Sequence, residues 1–281
     1  MKRFLAQVNC LGALAALTSL AAGTERDLAF THHFIDTELP VNEQGYGDYG
    51  ATALVDLDRD GDLDFVIGGR AVTPSTLYWY EFESADRWVR HVVGTQYLSD
   101  VGLAALDVDR DGWTDLVGSG VWFRNPGVPR TQPFDRIEFA PNDTGAHDVL
   151  VADLNKDGRP DVVLMGDERT KLNALCWYSI PADPRTRWDR HAVASPVHGA
   201  ITPKGAVDID HDGDLDLVRA DTWFENADGQ GTRWLNHPNL PMGRKGPFGV
   251  CVRVVAVDLD GDGGEEILLA DADIEDCKLV I

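Results

Sequence analysis

Cysteine is scarce in this chain of 281 residues: there are four, Cys10, Cys176, Cys251 and Cys277, and none has the spacing of a zinc ligand pair. That excludes a disulfide-dense scaffold. Cations are scarce too. Lys and Arg number 25 against 47 Asp and Glu, a formal charge of −22, so nucleic acid and anionic membrane are not expected partners. Helical periodicity is absent, and beyond the N-terminus no apolar run approaches the ~20 residues that cross a bilayer, so no membrane insertion is expected. Also missing are a Ser-His-Asp order, a glycine-rich phosphate loop and a Cys/His zinc pattern. A paired-carboxylate glycosidase stays open, because Asp48, Asp100, Asp143, Asp148 and Asp167 would all be candidates.

The one long apolar stretch lies at the start. Lys2 and Arg3 precede a run from about Leu11 to Ala22, which ends in small residues at Ser19, Ala21, Ala22 and Gly23. Residues 1–23 read as a secretory signal peptide, too short to span a membrane, and Gln7-Val8-Asn9 before Cys10 does not resemble a lipoprotein box. The expected location is outside the cytoplasm, extracellular or periplasmic. Three cysteines then remain, enough for one disulfide whose pairing the sequence does not fix.

What the chain does contain is a repeated acidic loop. Asp-x-Asp/Asn-x-Asp-Gly-x-x-Asp/Glu begins at Asp56, Asp107, Asp153, Asp208 and Asp258, at intervals of 51, 46, 55 and 50 residues. The ligand sets are Asp56, Asp58, Asp60 and Asp64; Asp107, Asp109, Asp111 and Asp115; Asp153, Asn155, Asp157 and Asp161; Asp208, Asp210, Asp212 and Asp216; and Asp258, Asp260, Asp262 and Glu266. Ca2+ takes about six to eight oxygens at ~2.3–2.6 Å, and alternate carboxylates around a glycine-permitted turn supply several of them. The last acid stands at loop position 9, where an EF-hand has its glutamate at position 12 between two helices. Here the flanks are short β-branched runs, Ala53-Leu54-Val55 and Phe65-Val66-Ile67, so each loop joins two strands. Five bound Ca2+ would bring the formal charge from −22 to about −12.

Other strands recur between loops. Aromatic segments follow the second strand (Leu77-Tyr78-Trp79-Tyr80, Val121-Trp122-Phe123, Cys176-Trp177-Tyr178, Thr222-Trp223-Phe224), and a fourth strand follows in most repeats, as at Trp88 to Val93 and Trp188 to Val193. Four strands per ~50 residues describe an all-β fold, a β-propeller of four-stranded blades covering residues 28–281, whose blades must stack to bury their faces. Seven of the eight Trp residues fall on repeated strand positions and read as inter-blade core; Trp113, inside the second loop, is the exception. His33, His91 and His191 repeat at equivalent strand positions and read as structural. The last repeat lacks an outermost strand, which His33-Phe34-Ile35 could supply in a closed five-bladed ring; the alternative is a fragment of a larger propeller.

These loops at blade spacing resemble the FG-GAP/VCBS repeats of secreted bacterial proteins and integrin α-subunit propellers. The resemblance implies bound Ca2+, all calcium loops on one face, and, since such propellers usually have seven blades, two blades missing in the fragment reading. It is compatible with a non-catalytic module binding an extracellular glycan or surface protein, with a polysaccharide lyase acting on uronic-acid glycans, and with a structural adhesion repeat. A monomer is expected.

Function is then expected on the face opposite the calcium loops, where the irregular segments entering each innermost strand converge. Basic and aromatic residues collect there: Tyr46, Tyr49, Arg70, His147, Arg169, Lys171, His198, Lys204, Arg219, Arg244 and Lys245. In a lyase, His147 and His198 are the candidate bases, Tyr49 the acid, and Arg219 and Lys204 the carboxylate partners. In a binding module the same groups would hydrogen-bond and stack on the ligand.

Overall fold

The computed structural model describes residues 30–70, 72–166, 170–195, 200–219, 221–240, 251–272 and 279–281. The chain divides at Phe34 into two units. In the first, the described residues 30–34 are strand-free, with the His32 and Phe34 rings 4.3 Å apart.

The second unit, Ile35–Ile281, is a ring of five four-stranded blades with no helix among its described residues. Blade 1 is β1 (Tyr49–Val55), β2 (Asp64–Gly69), β3 (Thr76–Ser84) and β4 (Arg87–Thr95). Blade 2 is β5 (Ala104–Leu106), β6 (Asp115–Val117), β7 (Val121–Arg124) and β8 (Asp135–Glu138). Blade 3 is β9 (Asp148–Ala152), β10 (Asp161–Met165), β11 (Leu175–Ser179) and β12 (Asp189–Ala194). After a short β13 (Pro203–Lys204), blade 4 is β14 (Ala206–Val207), β15 (Asp216–Arg219), β16 (Thr222–Asn226) and β17 (Trp234–Pro238). Blade 5 is β18 (Cys251–Val257), β19 (Glu266–Ala272) and β20 (Leu279–Val280). Within each blade consecutive strands pair antiparallel, so every acidic loop joins the first strand to the second at the same end of its blade.

The blades cannot stand alone. Strand β10 is buried at every position, on both faces of its sheet, and only a neighbour on either side can cover it. Four buried clusters do this. One joins blades 1 and 2 (Leu57, Trp79, Tyr97, Phe123), one blades 2 and 3 (Trp122, Phe139, Leu164, Trp188), one blades 3 and 4 (Leu154, Trp177, Leu217, Phe224) and one blades 4 and 5 (Val207, Val218, Val254, Leu269). Trp79, Trp122, Trp177 and Trp188 are fully enclosed, as expected of core. Among the described residues no such cluster joins blade 5 to blade 1.

Two expectations need correcting. His33-Phe34-Ile35 lies in no strand; the fourth strand of the fifth sheet is β13, which pairs parallel with β18 on its axis side, Pro203 against Val254 and Lys204 against Val255. And Cys176 is buried with a free thiol, so the disulfide left open by the sequence does not involve it.

The 50-residue period conceals a longer one. In blades 1 and 3 the second and third strands are joined over residues 70–75 and 166–174; in blades 2 and 4 they are joined over 118–120 and 220–221. Blades 1 and 3 each tie the segment entering them to their own outer strands. The Tyr80 hydroxyl and Arg90 Nη1 each donate to Asp36 Oδ2 at 2.7 Å, and Tyr178 and Arg190 bind Asp143 in the same way. Each even blade reaches back to its predecessor. Asn125 and Asn226, both fully buried, donate from Nδ2 to the carbonyls of Leu57 and Leu154 at 2.8 Å, which belong to the acidic loops of blades 1 and 3.

Candidate functional site

The five acidic loops share one backbone. Residue 6 of each is a glycine with φ between +78° and +99°, a region that costs a side chain strain, and its N–H donates to Oδ2 of the first Asp at 2.9–3.1 Å. Residue 4 is also left-handed in every copy: Arg59, Arg110, Lys156, His211 and Gly261. The ninth residue has a second task. Asp64 accepts from Leu57 N at 3.0 Å and Phe82 N at 3.1 Å, Asp115 from Val108 N and Asn125 N, and Asp216 from Ile209 N and Asn226 N. Asp161 and Glu266 accept from Leu154 N and Leu259 N. Each of these acids therefore fastens its own loop, and in blades 1, 2 and 4 also the third strand. Burial pushes the Asp64 carboxyl up to about 6 and those of Asp115 and Asp161 up to about 7, against the opposing pull of these amides.

The donor set suits a cation. Carboxylate oxygens of Asp56, Asp58 and Asp64, of Asp107, Asp109 and Asp115, of Asp208, Asp210 and Asp212, and of Asp258, Asp260 and Asp262 converge within 4.8 Å of one another. Asp107 Oδ1, Asp109 Oδ1 and Asp208 Oδ1 are buried with no hydrogen-bond donor, which is costly unless a cation meets them. In the third loop Asn155 Nδ2 is 3.4 Å from Asp157 Oδ2. Arginines contribute charge to two loops: Arg130 contacts Asp58, Asp60 and Glu81 at 2.6–2.7 Å, and Arg124 contacts Asp109 and Asp111. Trp113 lies under the Arg59 guanidinium, 4.7 Å from its ring centroid.

Along the axis lies a cavity of about 490 Å3, lined by residues of blades 1, 2, 3 and 5 and by Thr202 and Pro203 of the segment before blade 4. Strands β1, β5 and β9 are edge strands there, presenting unpaired N–H and C=O groups to the cavity; the axis edge of β18 is covered by β13. Among the described residues two charged side chains line it, Asp148 and Arg253. Asp148 is buried at the start of β9; its Oδ2 accepts from Ile201 N at 2.7 Å, and its Oδ1 lies 3.4 Å from His147 Nδ1 and 3.7 Å from Arg253 Nη1. Burial alone would raise its pKa, but His147, the Ile201 amide and Arg253 outweigh that and hold it below the usual carboxylate range. Arg253 Nη1 also donates to Thr202 Oγ1 at 3.0 Å, and its side chain remains 57% exposed.

Of the five candidate catalytic residues, the four that are described, His147, Tyr49, Arg219 and Lys204, do not line this cavity. His147 borders it through Asp148. Tyr49 donates its hydroxyl to the Pro40 carbonyl at 2.8 Å, and burial pushes that hydroxyl up to about 12. Lys204 pairs with Glu265, and Arg219 is buried at the end of β15. His198, Arg169, Arg244 and Lys245 lie outside the described residues. His91 and His191 stack on Trp79 and Trp177 with centroids 4.3 and 3.8 Å apart, in keeping with a structural role. Sequence reasoning missed Arg253; its signal was a lone charge in an otherwise apolar innermost strand, Cys-Val-Arg-Val-Val-Ala-Val.

Residues 56–118, the first acidic loop through the second, match the family model described as an FG-GAP-like repeat. This segment is an FG-GAP-like repeat. No curated protein matches the chain. Solved structures similar to the chain include the biofilm matrix protein Bap1 of V. cholerae (15% identity, TM-score 0.43, covering 79% of this chain and 34% of that one). The rhamnogalacturonan lyase YesW (14%, 0.40, 79% and 43%) and an endo-arabinase from Bacteroides thetaiotaomicron (14%, 0.36, 81% and 95%) are also similar. The chain thus spans about a third of the length of Bap1 and less than half of YesW.

Proposed function

We propose that this chain is an exported, calcium-stabilised propeller that binds an extracellular saccharide in its central cavity without transforming it. The observation that carries the reading is the cavity itself. Its volume of about 490 Å3 falls within the ~300–1,000 Å3 of small-ligand sites. Three unpaired strand edges offer alternating donors and acceptors, which match the hydroxyls of a polyol, and Arg253 adds an exposed fork of donors anchored on Thr202 and Asp148. In the acidic loops, Ca2+ would neutralise clustered carboxylates and hold each first strand to its second. The Asp148 carboxylate supports the cavity by tying blade 3 to the Ile201 amide, which precedes blade 4.

Binding is preferred to a lyase reaction because three of the groups that such a reaction would use are engaged elsewhere: Tyr49 with Pro40, Lys204 with Glu265, and His147 against Asp148. Titration calorimetry against a saccharide panel tests the reading. Arg253→Ala is expected to weaken the bound saccharide at least tenfold while leaving the melting temperature in place; undiminished binding would remove the cavity as the site. The calcium part is tested by melting in excess chelator. Each site held at about 100 times its Kd contributes ~2.7 kcal/mol of stability, so a large drop is expected, and an unchanged curve would contradict it.

A further inference from the structure

The most deeply buried described arginine has no carboxylate within ion-pair distance among the described residues. Arg219 closes β15 at the end of the blade opposite the acidic loop and is only 7% exposed. Its Nη1 donates to the Ser195 carbonyl at 2.9 Å, its guanidinium carbon lies 4.9 Å from the centroid of the Phe224 ring, and its Nε has no hydrogen-bond partner. By contrast Arg70, Arg90, Arg124, Arg130, Arg190 and Arg253, all more exposed, each have a carboxylate within 4 Å. A charge removed from water without a partner is strongly destabilising, and proteins ordinarily satisfy such a group or replace it.

Blade 2 shows that the fold does not demand a cation here. The equivalent position, three residues after the ninth loop acid, is Gly118, where an added Cβ would come within 2.5 Å of the Tyr97 carbonyl oxygen. In blade 4 the chain instead leaves room for a long side chain and puts a guanidinium in it. Burial draws its pKa down to about 10, with the nearby Asp221 charge opposing; Asp221 itself accepts from Thr222 Oγ1 at 3.1 Å. The Val218 N–H donates to the Gly205 carbonyl at 2.8 Å, so Arg219 sits beside the segment that carries Thr202 and Pro203 to the central cavity.

We propose that Arg219 is an anion receptor, completed by a carboxylate or sulfate group that a ligand brings to blade 4. The site is separate from the cavity and does not depend on saccharide binding there. The planar fork is held on one side by Ser195 and backed by an aromatic face, and its enclosed Nε–H is left for an arriving anion to satisfy.

The test is a titration of the full chain with sodium glucuronate and with sodium sulfate, at an ionic strength fixed by chloride and with glucose as the uncharged control. At least one anion is expected to raise the melting temperature saturably, with glucose inert. A response to glucuronate alone assigns a carboxylate, to sulfate alone a sulfate, and to both an unselective receptor; each supports the proposal. Arg219→Met should weaken that response at least tenfold and melt no lower than wild type without ligand, since an uncompensated charge is gone; Arg253→Ala should leave it intact. Should Arg219→Met not fold, the Arg219 Nε–H resonance of the wild-type protein serves instead and is expected to shift on anion addition. No effect of either anion beyond chloride, an equal effect in Arg219→Met, or an unmoved Nε–H resonance would each overturn the proposal.

Discussion

Odd and even blades of this propeller solve the same problem in opposite directions. Blades 1 and 3 spend their polar side chains on themselves: a strand-3 tyrosine and a strand-4 arginine grip an aspartate of the entering segment. Blades 2 and 4 spend theirs on the blade before. Asn125 and Asn226 carry equivalent hydrogen bonds: Nδ2 to the preceding loop and to Thr114 or Leu215, Oδ1 from Gly127 or Gly231. The seam is reinforced by loop residue 4 of the odd blade against loop residue 7 of the even one. In one copy this is Arg59 over Trp113, in the other Lys156 3.6 Å from Asp214. Position is kept while chemistry changes from cation–π to ion pair. The structural unit is therefore a pair of blades, and the ring is assembled from 1–2, 3–4 and 5.

Substitutions can break or sharpen that contrast. Asn125→Ala and Asn226→Ala should be the most damaging, at about 2–3 kcal/mol each, because each leaves several buried backbone groups without partners. The odd-blade counterparts, Tyr80→Phe and Tyr178→Phe, should cost about 1 kcal/mol, since Arg90 and Arg190 still hold the aspartate. Denaturant melts rank the four; equal losses in both groups would dissolve the distinction. The smallest effect is expected at loop residue 4. Arg110→Gly and His211→Gly relieve a left-handed backbone at residues with no ion-pair or ring partner among the described residues, and should gain a few tenths of a kcal/mol up to about 1. Arg59→Gly and Lys156→Gly relieve the same strain but lose the cross-blade contact, and should gain nothing. A gain at all four would mean that the contacts across the seam contribute little.

Much of this was legible in the sequence. The loop motif, the strand order and the enclosed Trp residues follow from local chemistry repeated five times, and repetition averages out local ambiguity. The paired-blade module was also visible, in the distance from the ninth acid to the next tryptophan (Asp64 to Trp79 against Asp115 to Trp122) and in the shared Trp-Phe-x-Asn of Asn125 and Asn226, but the shorter period masked it. Three features were not legible. The double role of the ninth acid depends on amides from a strand far along the chain. The meeting of Asp148 with Arg253 depends on closing a ring between residues 105 positions apart. The capture of β18 by Pro203–Lys204 places a parallel pair where the repeat gives only antiparallel ones.

That last pairing has a consequence for recognition. A ring of five identical inner edges would present a guest with five equivalent orientations. Covering one edge and placing Arg253, the one arginine among the described lining residues, beside the cover removes the rotational degeneracy. A ligand on the axis then has a single preferred heading, fixed by the one place where the ring is not like itself.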